Sequence, residues 1–274
     1  MIPPDAWQAP KTGRAGLNFD SHHSPVTAMP SKPAAPFTPA TFKFLRDLKR
    51  NNNREWFTAH KARYEAELKE PCLRFIAALD APLKAQISEQ YVASAKAVGG
   101  SLFRIYRDTR FSGDKTPYKT HAGMTFFHQA TKAVARGSDG SNASPGRLDA
   151  PLFYLHLEPG ECFIGGGVWH GQPETLKRIR SYMVNNPASW KKATRGSAFS
   201  KVYSLEGDSL SRPPAGYDPA HELIEDLKRK DYVCTATLSE EQVCSPDFPK
   251  IVLKHFATAA PMIDWLCGAL DLDF

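Results

Sequence analysis

The stretch "FYLHLEPGECFIGGGVW", residues 153–169, constrains the fold more than any other part of the chain. Side chains alternate faces along a strand. Phe153, Leu155 and Leu157 therefore share an apolar face, while Tyr154, His156 and Glu158 share the opposite face with Leu152. "EPGE" is a short turn signal, and apolar residues resume at Cys162. The spacing predicts an antiparallel hairpin of strands 152–158 and 162–169. Gly165, Gly166 and Gly167 then remove side-chain bulk from both faces of the second strand. A glycine run inside a strand marks a bulge, a bend or a close approach by another group, and here it suggests a glycine-floored hollow.

Residues 102–106, 123–128 and 232–238 also read as strands. Before them the period is helical. Thr38 suits an N-cap with Pro39 at the first helical position, and Phe42, Leu45 and Leu48 fall on one stripe. Asn51, Asn52 and Asn53 stop that helix and can cap the next, which carries Trp56, Phe57, His60, Tyr64 and Leu68. Pro71 breaks or restarts the pattern. Helical spacing returns in "PETLKRIRSYMVNN" and around Trp190, again near residues 220–228, and in two segments after the last strand that end in "MIDWLCGAL". Helices, then a run of strands, then helices again predict an α+β fold, with an antiparallel sheet of four or five strands flanked by N- and C-terminal helices.

Residues 1–36 hold seven prolines and little periodic apolar surface, so a disordered tail is expected there. A single domain over 37–274 is expected to follow, with a flexible Gly/Ser/Ala-rich insertion near 129–149. At 274 residues and 42% hydrophobic, the chain can bury one sizeable core. No apolar run is long enough to span a membrane. The start "MIPPDAWQAPKTG" lacks the pattern of a secretory signal, which makes the cytoplasm the expected setting. Five scattered cysteines form neither a disulfide framework nor a CxxC knuckle, and reduced, packed thiols are expected.

Charge concentrates in "FRIYRDTRFSGDKTPYKTH", residues 103–121, where five Lys or Arg stand against two Asp. Phe103, Ile105 and Phe111 are spaced like a strand entering a core, with Arg104, Tyr106, Asp108 and Arg110 on the other side. If this strand neighbours 152–158, the polar faces merge into one patch. Arg104, Tyr106, Arg107, Arg110, Lys115, Tyr118, Lys119 and Tyr154 are then candidate ligand-binding residues. Asp108, His156 and Glu158 are candidates for acid–base chemistry. The net charge of +3 over residues 104–121 favours an anionic ligand over a cationic one.

The run "RIYRDTRFSGDKTPYK" resembles the RxxRDxRFxxxKxPYK signature of a bacterial and fungal family known only as domain of unknown function 2461. "NNNREWF", "RYE", "GGSLFR" and "FYLHLEPGECFIGGGVW" extend the resemblance from about residue 37 to the C-terminus. The resemblance implies no activity, cofactor or catalytic role, because none is established for the family.

Three functional readings follow. The first is a binding protein or enzyme for a small phosphate- or carboxylate-bearing ligand. The second is a nucleic-acid-binding protein, with Tyr106, Phe111 and Tyr118 interleaved among cations and "TLKRIR" and "DLKRK" adding charge. The third is a structural or interaction protein whose arginines form a folding network. No metal site is expected, since His121, His128, His156 and His170 show no zinc spacing, although strand alternation can still unite two of them. "GGG" is not followed by the helix of a dinucleotide fingerprint, and no GxSxG elbow or P-loop occurs. Neither cofactor nor oligomeric state is legible.

Overall fold

The computed structural model describes residues 34–110, 113–133 and 149–274. The expected tail and insertion lie outside them, apart from residues 34–36, 149 and a 3₁₀ turn, Gln129–Ala133.

Helix Pro39–Arg50 begins at Thr38 with Pro39 in its first turn, and Phe42, Phe44, Leu45 and Leu48 are buried on its inner side. Asn53 starts the next helix, Arg54–Ala59, by accepting the amide N–H of Trp56 on its side chain. A π-helical turn, Glu65–Lys69, precedes the long helix Glu70–Gln86, whose first turn contains Pro71. A proline nitrogen has no hydrogen to donate to the carbonyl four residues earlier, which here is Glu67. The buried hydroxyl of Thr41 donates to that carbonyl instead, at 2.8 Å.

Six strands form one antiparallel sheet: β1 Tyr91–Val92, β2 Ala122–His128, β3 Leu152–Leu157, β4 Cys162–Val168, β5 Ser204–Glu206 and β6 Tyr232–Leu238. Their order is β1-β2-β3-β4-β6-β5. The β3–β4 hairpin pairs as the alternation requires, with Tyr154 opposite Gly165 and His156 opposite Phe163. Met124, Phe126, Phe153, Leu155, Leu157, Ile164, Cys234 and Ala236 are buried on one face. That face packs against the C-terminal helix Phe248–Ala269, where the Phe256 ring lies 4.5 Å from Phe153 and 5.2 Å from Phe126.

Two expectations fail here. Residues 102–106 do not form a regular strand. Among the described residues, their main chain pairs only at the bridges Leu102–Met124 and Tyr106–Tyr118 and through separate backbone bonds, Phe103 N–H to the Gly123 carbonyl among them. Strict alternation is therefore lost: Ile105 is buried, but Phe103 is 43% exposed and lies on the polar side of the sheet. Phe111 lies outside the described residues. The glycine run makes no hollow either. A Cβ on Gly165 or Gly167 would overlap the main-chain carbonyls of Cys234 or Tyr232, so these glycines let β6 approach β4.

Candidate functional site

The second face of the sheet is polar. The register places Gly123 opposite His156 and Thr125 opposite Tyr154, so these four share a face with Phe163. Gly123 makes room there. A Cβ at this position would come within 2.7 Å of the Tyr154 hydroxyl and 2.9 Å of the Phe103 ring. Its absence lets Phe103 lean over β2 toward Tyr154, with ring centroids 6.1 Å apart. The segment containing Arg104 is thereby brought beside β3 although β2 separates them.

Tyr154, His156 and Glu158 form a chain along β3. The Tyr154 hydroxyl lies 3.0 Å from His156 Nδ1, and His156 Nε2 lies 3.4 Å from Glu158 Oε2. The His156 ring stacks on Phe163 at 4.6 Å. Ala122 pairs with Leu157, so His121, one residue before β2, falls beside Glu158, one residue after β3. Its ring lies 4.3 Å from that of His156, and its Nδ1 lies 3.8 Å from Glu158 Oε2. The other carboxylate oxygen, Oε1, accepts hydrogen bonds from Thr120 Oγ1 at 3.1 Å and Lys49 Nζ at 3.3 Å.

Burial and its neighbours set the charge states. Desolvation pushes His121 down to about 4, with His156, Lys119 and Arg107 adding to the effect and Glu158 opposing it. Desolvation also lowers His156, against the pull of Glu158. For Glu158, burial works upward, but hydrogen bonds from His156, Thr120 and Lys49 outweigh it and leave the carboxyl below its usual value. Burial raises Tyr154 to about 12. At neutral pH the group is thus two neutral imidazoles, one carboxylate and one intact phenol.

Lys119 reaches the same face, its ammonium 5.1 Å from the centre of the Phe103 ring. Burial lowers its pKa, and Arg104 lowers it further. Among the described residues, no salt bridge joins Lys119 or Arg104 to a carboxylate, although the charge of Arg104 acts at longer range on Asp108 as well as on Lys119.

The remaining candidates from the sequence divide into two groups. Arg107 bonds Asp114 and Thr116, closing the basic turn on itself. Lys115 donates to the carbonyl of Thr109. Arg110 forms a two-pronged pair with exposed Asp108, whose carboxyl is held at about 2 chiefly by that hydrogen bond. Tyr118 is buried and stacks on Phe57 at 4.0 Å, with exposed Tyr106 beside it. Asn52 holds that strip: its side-chain amide donates to the Tyr118 carbonyl and accepts the Tyr118 N–H. The cluster at β3 therefore contains Tyr154, His156, Glu158, Lys119 and Arg104 from the expected set, and adds His121, Thr120, Lys49 and Phe103.

The residues that make the turn, the Asn52 clamp and the β3–β4 hairpin all fall within one family match. Residues 40–265 match the model of a family described as a conserved hypothetical protein, DUF2461. The chain belongs to that family. The DUF2461 match spans every residue of the cluster, from Lys49 through Phe163. No curated protein matches the chain. Among the described residues, no helix is long and apolar enough to cross a membrane.

Proposed function

We propose that this DUF2461 protein binds a small anionic ligand, bearing phosphate or carboxylate, on the polar face of the sheet. The observation that carries the reading is Lys119. Its ammonium is partly desolvated, lies over Phe103 and has Arg104 as a like-charged neighbour, and no carboxylate among the described residues pairs with it. Desolvated charge without a partner is costly, and an anion at this point offsets that cost. Arg104 supplies a planar fork for two oxygens, and Lys119 a point charge. The Tyr154 hydroxyl, which can both donate and accept, offers a further hydrogen bond beside its contact with His156. Arg107, Arg110 and Lys115 act on the turn rather than on the ligand, because each already has a partner in it or on its flank. Five unpaired cysteines, four of them buried, suit a reducing compartment, and we take the cytoplasm as the setting.

Isothermal titration with inorganic phosphate and a panel of phosphorylated and carboxylated small molecules tests the reading. Saturable binding is expected, weakened at least about tenfold by Lys119→Gln or Arg104→Gln with little change in melting temperature. No binding across the panel, or equal binding by both variants, sinks it. Salt-sensitive binding to nucleic acid with no small-ligand affinity would favour the polynucleotide reading instead.

A further inference from the structure

We propose that His121, His156 and Glu158 form a site for one divalent transition-metal ion, of the zinc or iron(II) class. One donor atom from each residue lies within 4.8 Å of the other two, the only such group among the described residues. Donors about 2.1 Å from a tetrahedral zinc stand about 3.4 Å from one another. His156 Nε2 and Glu158 Oε2 already have that spacing, at 3.4 Å, and His121 Nδ1 is 3.8 Å from the same oxygen. Closing the set requires the His121 donor to move in from a separation of up to 4.8 Å, and its ring sits just outside the regular strand.

The surroundings are arranged as a metal site needs. His156 is fixed on a central strand by its stack with Phe163. Its Nδ1 faces the Tyr154 hydroxyl, which can accept the N–H that leaves Nε2 bare for an ion. Thr120 and Lys49 engage Oε1 of Glu158, which turns Oε2 toward both imidazoles. The Lys49 side chain is 63% exposed and can withdraw into solvent when the ion's charge arrives. Two imidazoles and one carboxylate suit zinc or iron(II) better than calcium or magnesium, which prefer all-oxygen shells. Three protein donors leave at least one position open, as in catalytic rather than structural centres.

A plain hydrogen-bond network explains less. Tyr154, His156 and Glu158 complete such a chain by themselves, whereas His121 Nδ1, 3.8 Å from the carboxylate, is beyond hydrogen-bond reach. The His121 ring packs on that of His156 at 4.3 Å, and a shared ion would turn that contact into ligation. The ion site uses side chains other than Arg104 and Lys119, and it stands if that pair binds nothing.

The test uses tag-free full-length protein stripped with a chelator, then titrated with zinc(II) by calorimetry and with cobalt(II) by visible absorption. Saturation at one ion per chain and intense cobalt bands of low coordination number are expected. His121→Asn, His156→Gln and Glu158→Gln should each weaken binding by more than about 100-fold, the loss of an outer-shell partner alone being typically 10–100-fold. His22 and His23, adjacent in sequence, are a competing pair of imidazoles, and replacing both with Asn should leave binding unchanged. Where a ligand variant fails to fold, imidazole NMR of the wild-type chain gives the answer: zinc should shift the ring signals of His121 and His156 and spare exposed His170. Absence of saturable binding, binding lost with His22 and His23, or ring shifts confined to other histidines would overturn the proposal.

Discussion

The hydroxyl of Tyr154 sits 3.0 Å from Nδ1 of His156, two residues further along the same face of β3. This contact fixes which imidazole nitrogen points at Glu158. Tyr154→Phe keeps the ring beside Phe103 and Phe163 and removes only the oxygen. It should cost about 1 kcal/mol in denaturant unfolding, the usual net worth of one hydrogen bond. The same variant should bind zinc roughly 10–100-fold more weakly, as expected when a ligand loses its outer partner. Unchanged zinc affinity would mean that Phe163 alone orients the ring.

Gly167 has φ +133° and its missing Cβ makes room for the Tyr232 carbonyl. Gly160, in the hairpin turn, also has positive φ, +81°, but nothing lies within 4 Å of the Cβ position. Gly160 carries backbone strain alone, whereas Gly167 combines a φ further from any L-residue region with steric overlap. Gly160→Ala should cost about 1 kcal/mol, from conformation alone. Gly167→Ala must also push β6 off β4, and a loss of roughly 4 kcal/mol or an insoluble chain is expected. Thermal unfolding of the pair measures the difference. Equal losses would show that the β4–β6 pairing yields easily.

Much of this was legible in one sequence, and the failures share a cause. "EPGE" between two alternating segments identified the β3–β4 hairpin, and period two put Tyr154, His156 and Glu158 on one side. Periodicity needs length, however. β1 and β5, of two and three residues, carry no readable period, so the sheet has six strands rather than four or five. Residues 102–106 have an apparent period but bond to β2 only intermittently, which is why Phe103 turned up on the exposed side. Which two of the scattered histidines meet is hidden for a different reason, and they are His121 and His156. The neighbours of His121 in space, His156 and Glu158, are set by the β2–β3 register, and register is a long-range property. The available signal was position: His121 immediately precedes one strand as Glu158 immediately follows its partner.

Asn52 and the backbone of Tyr118 exchange two hydrogen bonds, N–H to Oδ1 at 3.1 Å and Nδ2–H to the carbonyl at 2.9 Å. The asparagine thus ties the loop between the first two helices to the strip that ends in Lys119. Asn52→Asp preserves the acceptor but sets a carboxylate oxygen against the Tyr118 carbonyl. A loss of about 2 kcal/mol is expected, from one missing bond and one repulsive contact. Anion affinity should fall with it, since Lys119 follows Tyr118 directly. Denaturant melts with parallel phosphate titrations check both effects. Full stability in the aspartate variant would show that the clamp does not hold the strip.

Among the described residues, three imidazoles lie below the ordinary histidine value of 6.5. Burial lowers His121 to about 4, and burial also lowers His156 and His255. The Nδ1 atom of His255 is buried without a hydrogen-bond partner among the described residues. In each case the unfolded chain takes up a proton at higher pH than the folded chain does. Stability is therefore complete above pH 6.5 and declines as pH falls below it, for His121 down to about 4. Each proton contributes a slope of up to about 1.4 kcal/mol per pH unit within its window. Denaturant midpoints measured in chelator from pH 7.5 to about 4 should fall steadily with acidification, and His255→Gln should flatten the upper part of the curve. A midpoint that rises on acidification, or an identical slope in the variant, would show that these rings are not held neutral by the fold.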